Sequence, residues 1–260
     1  MSETRPQSAP LAEPALLRDQ LRRLRADQDR LFAEMHAGEQ HFRQLARSVW
    51  RVQEDERRRL ARELHDGIGQ NLTALRHRLE NLAAHAVLDA DASVQLGTAI
   101  DLCRTALDET RSLSRLLRPQ ILDDLGLEPA LRWLARSVAE SAGIDVELDL
   151  HLPEQALDGE LATLVFRVVQ EGLNNIAKHA AAGSVVVRLS SRSDQLQLLI
   201  VDDGRGCDSA KALANASHGQ SAGIASMRER LRLFGGQLQF RSAPGEGTQL
   251  RAFLPLAGGA

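Results

Sequence analysis

The sequence predicts an α plus α+β chain with three parts. These are an N-terminal coiled coil, an antiparallel helical hairpin that pairs into a dimeric four-helix bundle, and a C-terminal α/β sandwich. Three observations predict it. An apolar seam with heptad spacing runs through the N-terminal helix. A second seam follows a turn and stops at Pro119. Beyond Leu127, helical and alternating patterns interleave.

The opening residues 1–13 are rich in Pro, Ser and Glu and read as a disordered tail. The seam then runs Leu17, Leu21, Leu24, Gln28, Leu31, Met35, Gly38, Phe42, Leu45, Val49 and Val52, in steps of four and three. Only Gln28 and Gly38 fail to be apolar, so residues 14–55 read as a coiled-coil helix. Past Val52 the spacing becomes four, four, four through Glu56, Leu60, Leu64, Ile68 and Leu72. Such a stutter locally unwinds a supercoil. Leu75, Leu79 and Leu82 restore the repeat, and residues 87–93 form the turn to a second helix. That helix carries Leu96, Ile100, Cys103, Leu107, Thr110, Ser114 and Leu117 on one seam. Two antiparallel helices cannot bury both seams, but two copies make a four-helix bundle over 56–122.

The last part, 127–257, reads as a helix over 127–142, a strand over 144–150 and a helix over 157–180. Strands follow at 184–192 and 195–202, then a Gly-, Ala- and Ser-containing loop and a helix over 224–234. Two final strands flank the turn Ala243-Pro244-Gly245-Glu246-Gly247. Helices on one side of a mixed sheet are expected.

The net charge is −3, with 26% charged residues, so no basic excess marks a nucleic-acid surface. The two cysteines lack metal-ligand spacing, which fits a reducing cytosol. No apolar run approaches the ~20 residues that cross a bilayer. A cytoplasmic protein without membrane insertion is expected.

The stutter holds the first reactive candidate. His65 sits on a helix beside Asp66, and Gln70 lies four residues after Asp66. A neutral imidazole is a good nucleophile, and a neighbouring carboxylate can hold its tautomer. Adjacent helix residues do not face each other, so Asp66 would have to swing back to meet the ring. Asp66 and Gln70, at i and i+4, are expected to face the same incoming protein.

The second candidate site starts at Glu171. On an α-helix, Glu171, Asn175, Lys178 and His179 share one face, offering two oxygen donors and a cation. That suits Mg²⁺ carrying phosphates. Asp202-Asp203-Gly204-Arg205-Gly206 ends an apolar strand, where glycines admit a flat ligand and a carboxylate can accept from an exocyclic amine. Gly223 opens a helix whose first amides can receive phosphate, and Gly245-Glu246-Gly247-Thr248 closes the set.

The segment Arg57 to Gln70, with Arg59-Leu60-Ala61-Arg62-Glu63-Leu64-His65-Asp66 at its centre, resembles the phosphoacceptor region of sensor histidine kinases of the nitrate-sensor-like subfamily. The likeness continues in Leu117-Arg118-Pro119 and Leu122-Asp123-Asp124-Leu125-Gly126-Leu127. The later motifs are similar to the ATPase domain shared by gyrase, a heat-shock chaperone, histidine kinases and mismatch-repair proteins. The resemblance implies ATP and Mg²⁺ as cofactors, His65 as phosphoacceptor and Asp66 as its acid/base partner. It further implies Asn175 on the metal, Asp202 on the adenine amine, and Gly204, Gly206 and Gly223 shaping the pocket and lid. Thr248 belongs to the nucleotide site. Glu171 is expected to handle metal or proton, and Gln70 to support dephosphorylation of the partner. The partners implied are a second copy of the chain and a response regulator with a receiver domain and a helix-turn-helix output, with a separate sensor protein on the coil where the coil does not respond directly. A hydrolysing ATPase switch or serine kinase of the same superfamily, and a coiled-coil scaffold with a degenerate nucleotide site, are the rival readings; His65 with Asp66 and Gln70 opposes the first, and the retained Glu171, Asn175, Asp202 and Gly223 oppose the second.

Overall fold

The computed structural model describes residues 13–153, 157–192, 194–209 and 222–256. The expected N-terminal tail, apart from Glu13, and most of the lid before Gly223 lie outside the described residues. So do the side chains of Leu17 and Leu21. Residues Met1–Ser48 form one compact unit and Val49–Ala260 the other.

Helix α1 spans Glu13–Glu63 without a break. Within the first unit, Leu24, Leu31, Met35, Phe42 and Leu45 all face solvent. The heptad seam is therefore an uncovered apolar stripe in the single chain.

The second unit begins with the end of α1, which passes directly into a π-helical turn, Leu64–Gly69. This is where the sequence spacing broke from the heptad. Helix α2 continues over Gln70–His85, and α3 covers Ala90–Leu117. Asp89 caps α3 by accepting from the Ala92 amide at 2.7 Å. The turn is thus shorter than the expected 87–93. Leu107 is buried, the Cys103 thiol donates to the Leu72 carbonyl, and the Ser114 hydroxyl donates to the Ala61 carbonyl. Leu60, Ile68, Leu75, Leu82, Leu102 and Leu113 stay exposed, so the hairpin covers only part of its apolar surface.

After a short helix α4, Gln120–Asp124, helix α5 spans Leu127–Ala142 and stops at Gly143, whose φ of 67° suits glycine. Its buried residues Leu127, Ala130, Leu131, Leu134, Ala135 and Val138 recur at helical spacing. Strand β1 is Asp145–His151. Helix α6, Gly159–Asn175, is buried nearly all round, from Leu161 to Leu173. It ends in a second π turn, Ile176–Ala180. Strands β2, Ser184–Arg192, and β3, Gln195–Asp202, precede helix α7, Ala222–Leu233. Strands β4, Gln237–Ser242, and β5, Thr248–Pro255, complete the chain.

The sheet order is β1-β2-β3-β5-β4, with β1 and β2 parallel and the other pairs antiparallel. One face is buried: Val185, Val187 and Leu189 of β2, and Leu196, Leu198 and Ile200 of β3. Each such side chain contributes about 1.5–3 kcal/mol by leaving water. Gly172 lets α6 press onto this face, since a Cβ there would fall 2.7 Å from the Ile200 Cδ1. That close approach sets Glu171 and Asn175 near the end of β3. Among the described residues, no helix is long and apolar enough to cross a membrane.

Candidate functional site

The alternation of β3 makes its last residue informative. Leu196, Leu198 and Ile200 point into the core, and Asp202 occupies the next inward position. It is a carboxylate where the pattern calls for an apolar side chain. Asp202 is only 4% exposed and accepts from the Gly204 amide at 2.9 Å. Burial pushes its carboxyl above the usual range, against the hydrogen bonds from Gly204 and Thr248, which pull it down. Thr248 faces Asp202 in the β3–β5 register.

The glycines are fitted around this carboxylate. Gly206 and Gly247 have φ of 60° and 69°, and a Cβ on either would strike backbone: the Ala243 carbonyl or the Asp202 carbonyl. A Cβ on Gly204 would press on Ala180 and on Asp202 itself. The strand end, the β4–β5 turn and the α6 terminus therefore meet without side chains between them. The neighbouring Asp203 has a structural task. Its carboxylate accepts from the Gly183 and Ser184 amides and the Ser184 hydroxyl, and these bonds hold it below the usual range.

On α6, the Asn175 amide nitrogen donates to Glu171 Oε1 at 3.4 Å. Gly223, at the start of α7, sits against both: a Cβ there would fall on the Glu171 carboxylate and 3.3 Å from the Asn175 amide nitrogen. This arrangement leaves the Asn175 amide oxygen and a Glu171 oxygen as hard donors, which fits Mg²⁺. Among the described residues, no three His, Cys, Asp or Glu side chains gather to hold an ion alone. A cation here would need further oxygens from phosphate. Lys178 and His179 are exposed on the π turn. The one-face spacing of an α-helix does not carry through that turn: Glu171, Asn175 and Gly223 group together, and Lys178 and His179 follow them on the solvent side.

His65 and Asp66 are both exposed. No hydrogen bond joins them among the described residues, as neighbours on a helix would have it. His65 lines a groove with Gly69, Gln70, Thr73, Ala74, His77, Leu107, Thr110 and Arg111. Asp66 lines a separate groove with Asp55, Arg58, Arg59, Arg62, Glu63 and Gly67. The sequence expectation paired Asp66 with Gln70. In the structure Gln70 lines the groove of His65, at the end of the π-helical turn Leu64–Gly69.

Sequence reasoning missed a buried ionic cluster. The Arg167 guanidinium donates to Glu54 Oε2 at 3.0 and 2.7 Å, to Glu54 Oε1 at 3.2 Å, and to the Leu117 carbonyl. Arg118 lies 3.6 Å from Glu54 and binds Asp123 at 2.9 Å. Burial lowers the Arg167 guanidinium from its ordinary value, and Glu54 opposes that. Two signals were available. Trp50 is a large apolar residue off the heptad seam, and Arg167 interrupts an otherwise apolar helix.

The structure thus joins a helical hairpin that exposes a histidine to a sheet domain with a buried aspartate among glycines and a Glu–Asn pair. The chain belongs to the sensor histidine kinases. The profile described as "Histidine kinase" matches residues 56–122. That described as "Histidine kinase-, DNA gyrase B-, and HSP90-like ATPase" matches residues 160–258. The chain is 37% identical over 227 residues to the sensor histidine kinase MctS of Rhizobium johnstonii, covering 86% of this chain and 48% of that protein. It is 40% identical to the signal transduction histidine-protein kinase/phosphatase UhpB of Salmonella typhimurium, covering 81% of this chain and 41% of UhpB. With the sensor histidine kinase LiaS of Bacillus subtilis it shares 33% identity, over 81% of this chain and 58% of LiaS. The chain thus spans about half the length of these curated relatives.

Proposed function

We propose that the chain phosphorylates its own His65 from Mg-ATP and passes the phosphoryl group to an aspartate of a response regulator. The observation that carries this reading is the exposed His65 on its π turn, in a chain that also holds Glu171, Asn175 and Gly223 in one cluster. Asp202 accepts from the adenine amine, with Gly204, Gly206 and Thr248 shaping the pocket around it. Asn175 and Glu171 hold the metal, while Lys178 and His179 lie within reach of the phosphates from the solvent side. A bound Mg²⁺ supplies charge neutralisation of the phosphates, which is most of what phosphoryl transfer needs. The α7 N-terminus at Gly223 turns amides to phosphate. The His65 Nε2 attacks the γ-phosphorus, the bond to the β-phosphate oxygen breaks, and ADP leaves. Asp66, swinging back from its own groove to the ring, takes the proton from Nδ1.

Gln70 shares the His65 groove, where a docking receiver domain would place its aspartyl phosphate. It is our candidate for orienting the water that removes this phosphate. UhpB, a relative named as both kinase and phosphatase, supports that double role. The exposed seams on α1 and the hairpin support a homodimer, with a four-helix bundle at its centre. The further partners are a response regulator with helix-turn-helix output and a separate sensor on the coil. The protein acts in the cytoplasm.

The test is incubation with γ-labelled ATP, followed by acid or base. Phosphohistidine survives base and not acid. The label is expected in the wild type and absent in His65→Gln, with ATP binding retained. Base-stable label persisting in His65→Gln would overturn the assignment.

A further inference from the structure

Two stripes of residues meet where α1 lies on the nucleotide domain. On α1, Trp50, Glu54, Arg57 and Ala61 share a face by their spacing of four, three and four. On α7, Gly223, Met227 and Arg230 share a face in the same way, and Phe234 directly follows the helix. Four contacts fix how the stripes lie. Arg51 pairs with Glu160 at the start of α6, and Glu54 takes Arg167 two turns further on, so α1 and α6 run in the same direction. The Trp50 ring packs edge-on against Phe234, with centroids 5.1 Å apart. Gly223, at the other end of α7, sits against Glu171 and Asn175 near the end of α6. Helix α7 therefore runs opposite to both, and Arg230 stands level with Glu54, Arg57 and Arg167.

This junction gathers guanidinium groups. Arg57, Arg58, Arg118, Arg167 and Arg230 reach it from α1, the segment joining α3 to the nucleotide domain, α6 and α7. The carboxylates facing them are Glu54, Asp123 and, on the nucleotide side, Glu171. Three of the arginines are matched. Arg167 takes both Glu54 oxygens and the Gln170 side chain. Arg118 bonds Asp123 and the Thr163 hydroxyl, and Arg58 lies 2.8 Å from Asp123. The other two are not. The Arg57 guanidinium stops 3.9 Å from Glu54, beyond hydrogen-bond reach. Arg230 is half-buried, yet makes no hydrogen bond or ion pair among the described residues. Burial lowers its guanidinium from the ordinary value, Arg57 repels it further, and Glu54 and Glu171 oppose this.

A guanidinium drawn partly out of water without an acceptor is costly, and two that face each other repel. An anion between them would reverse both effects. Glu54 cannot serve, because Arg167 already holds both of its oxygens. Five guanidiniums against three carboxylates leave an excess of two positive charges, which a phosphate dianion would balance. The planar fork of arginine matches phosphate oxygens two at a time.

We infer that Arg57 and Arg230 form a phosphate-binding pair at this junction, outside the residues assigned to the nucleotide above. Two sources supply such a group: the terminal phosphate of a nucleotide held at Glu171 and Asn175, or free inorganic phosphate. The first rests on the proposed nucleotide site, and the second stands without it.

The test uses the full chain and its Arg57→Gln and Arg230→Gln variants. Calorimetric titration is run with three probes: inorganic phosphate, Mg-ADP, and the Mg complex of a non-hydrolysable ATP analogue. ADP lacks the terminal phosphate, so its affinity also reports that the nucleotide domain is folded. If the nucleotide supplies the phosphate, each variant binds the ATP analogue at least tenfold more weakly and ADP within twofold of wild type. If free phosphate is the ligand, wild type binds it, each variant binds it at least tenfold more weakly, and both nucleotides bind as before. Affinities for all three probes within twofold of wild type in either variant would overturn the pair. So would a loss of ADP affinity as large as that of the analogue. If wild type binds phosphate through both arginines and takes no nucleotide, the nucleotide reading fails and the phosphate site stands.

Discussion

His65 and Gln70 stand five residues apart and line one groove, because the backbone between them is a π turn. In an α-helix the partner of Gln70 would be Asp66. Here Gln70 lines the groove of His65, and Asp66 lines the neighbouring groove. On the proposed chemistry, the two side chains would serve different steps along one stretch of helix.

Gln70→Ala is accordingly expected to keep near-normal labelling of His65 and to lose phosphatase action on the partner regulator. The measurement is the decay of purified phospho-regulator with kinase and ADP. Wild-type kinase should shorten its lifetime and the variant should leave it long. Equal acceleration by both would remove Gln70 from the reaction.

Asp202 carries a pH prediction. Its folded carboxyl is raised by burial above the unfolded value. A group raised in this way contributes stability below its unfolded pKa and loses that contribution as pH rises through the folded pKa. At neutral pH the charged Asp202 therefore costs stability. Asp202→Asn should raise the apo melting temperature at neutral pH, with the gain vanishing in acid. It should also weaken the melting shift caused by Mg-ATP, because on the proposed binding mode a neutral amide oxygen accepts from the adenine amine less strongly than a carboxylate does. A variant that melts lower at neutral pH would contradict this sign.

Much of this was legible from periodicity. The strands at 184–192 and 195–202 match the observed β2 and β3, because alternation over one buried face fixes both extent and orientation. The stutter at Glu56–Leu72 marked where the helix departs from regularity, but spacing alone does not say that it widens into a π turn. Trp50 stood off the seam, yet one residue does not name its partner. Glu54 was invisible among Glu54-Asp55-Glu56. Its burial comes from docking against Arg167, 113 residues away, and no local pattern encodes that contact.

Two glycines separate site effects from fold effects. At Gly223 an added Cβ meets the end of the Glu171 side chain, which can swing aside. Gly223→Ala should keep the melting temperature and weaken Mg-ATP binding roughly tenfold, about 1.4 kcal/mol. At Gly247 the Cβ meets the Asp202 backbone, and φ is already 69°. The left-handed conformation alone costs about 1–2 kcal/mol for an L side chain. Gly247→Ala should therefore lower both the urea midpoint and nucleotide affinity. Calorimetric titration and urea melts of the two variants give the contrast; a loss of stability in Gly223→Ala would place its effect in the fold.

The Glu54–Arg167 pair offers a stability prediction that distinguishes a docking contact from one on which the fold of the domain depends. Removing one member of a buried pair costs about 3–5 kcal/mol when the survivor stays buried. Here the survivor has an exit. Undocking of α1 from the nucleotide domain would hydrate either Glu54 or Arg167, so the loss is capped at the free energy of docking. Both Glu54→Ala and Arg167→Met are then expected to leave the unfolding free energy of the nucleotide domain, from urea melts, within about 1 kcal/mol of wild type. Each should expose Trp50 without denaturant. Combining them should add nothing further, since the first change has already opened the contact. A drop near the full 3–5 kcal/mol in Arg167→Met, with Trp50 still protected, would mean that the pair holds the domain folded and does not release it.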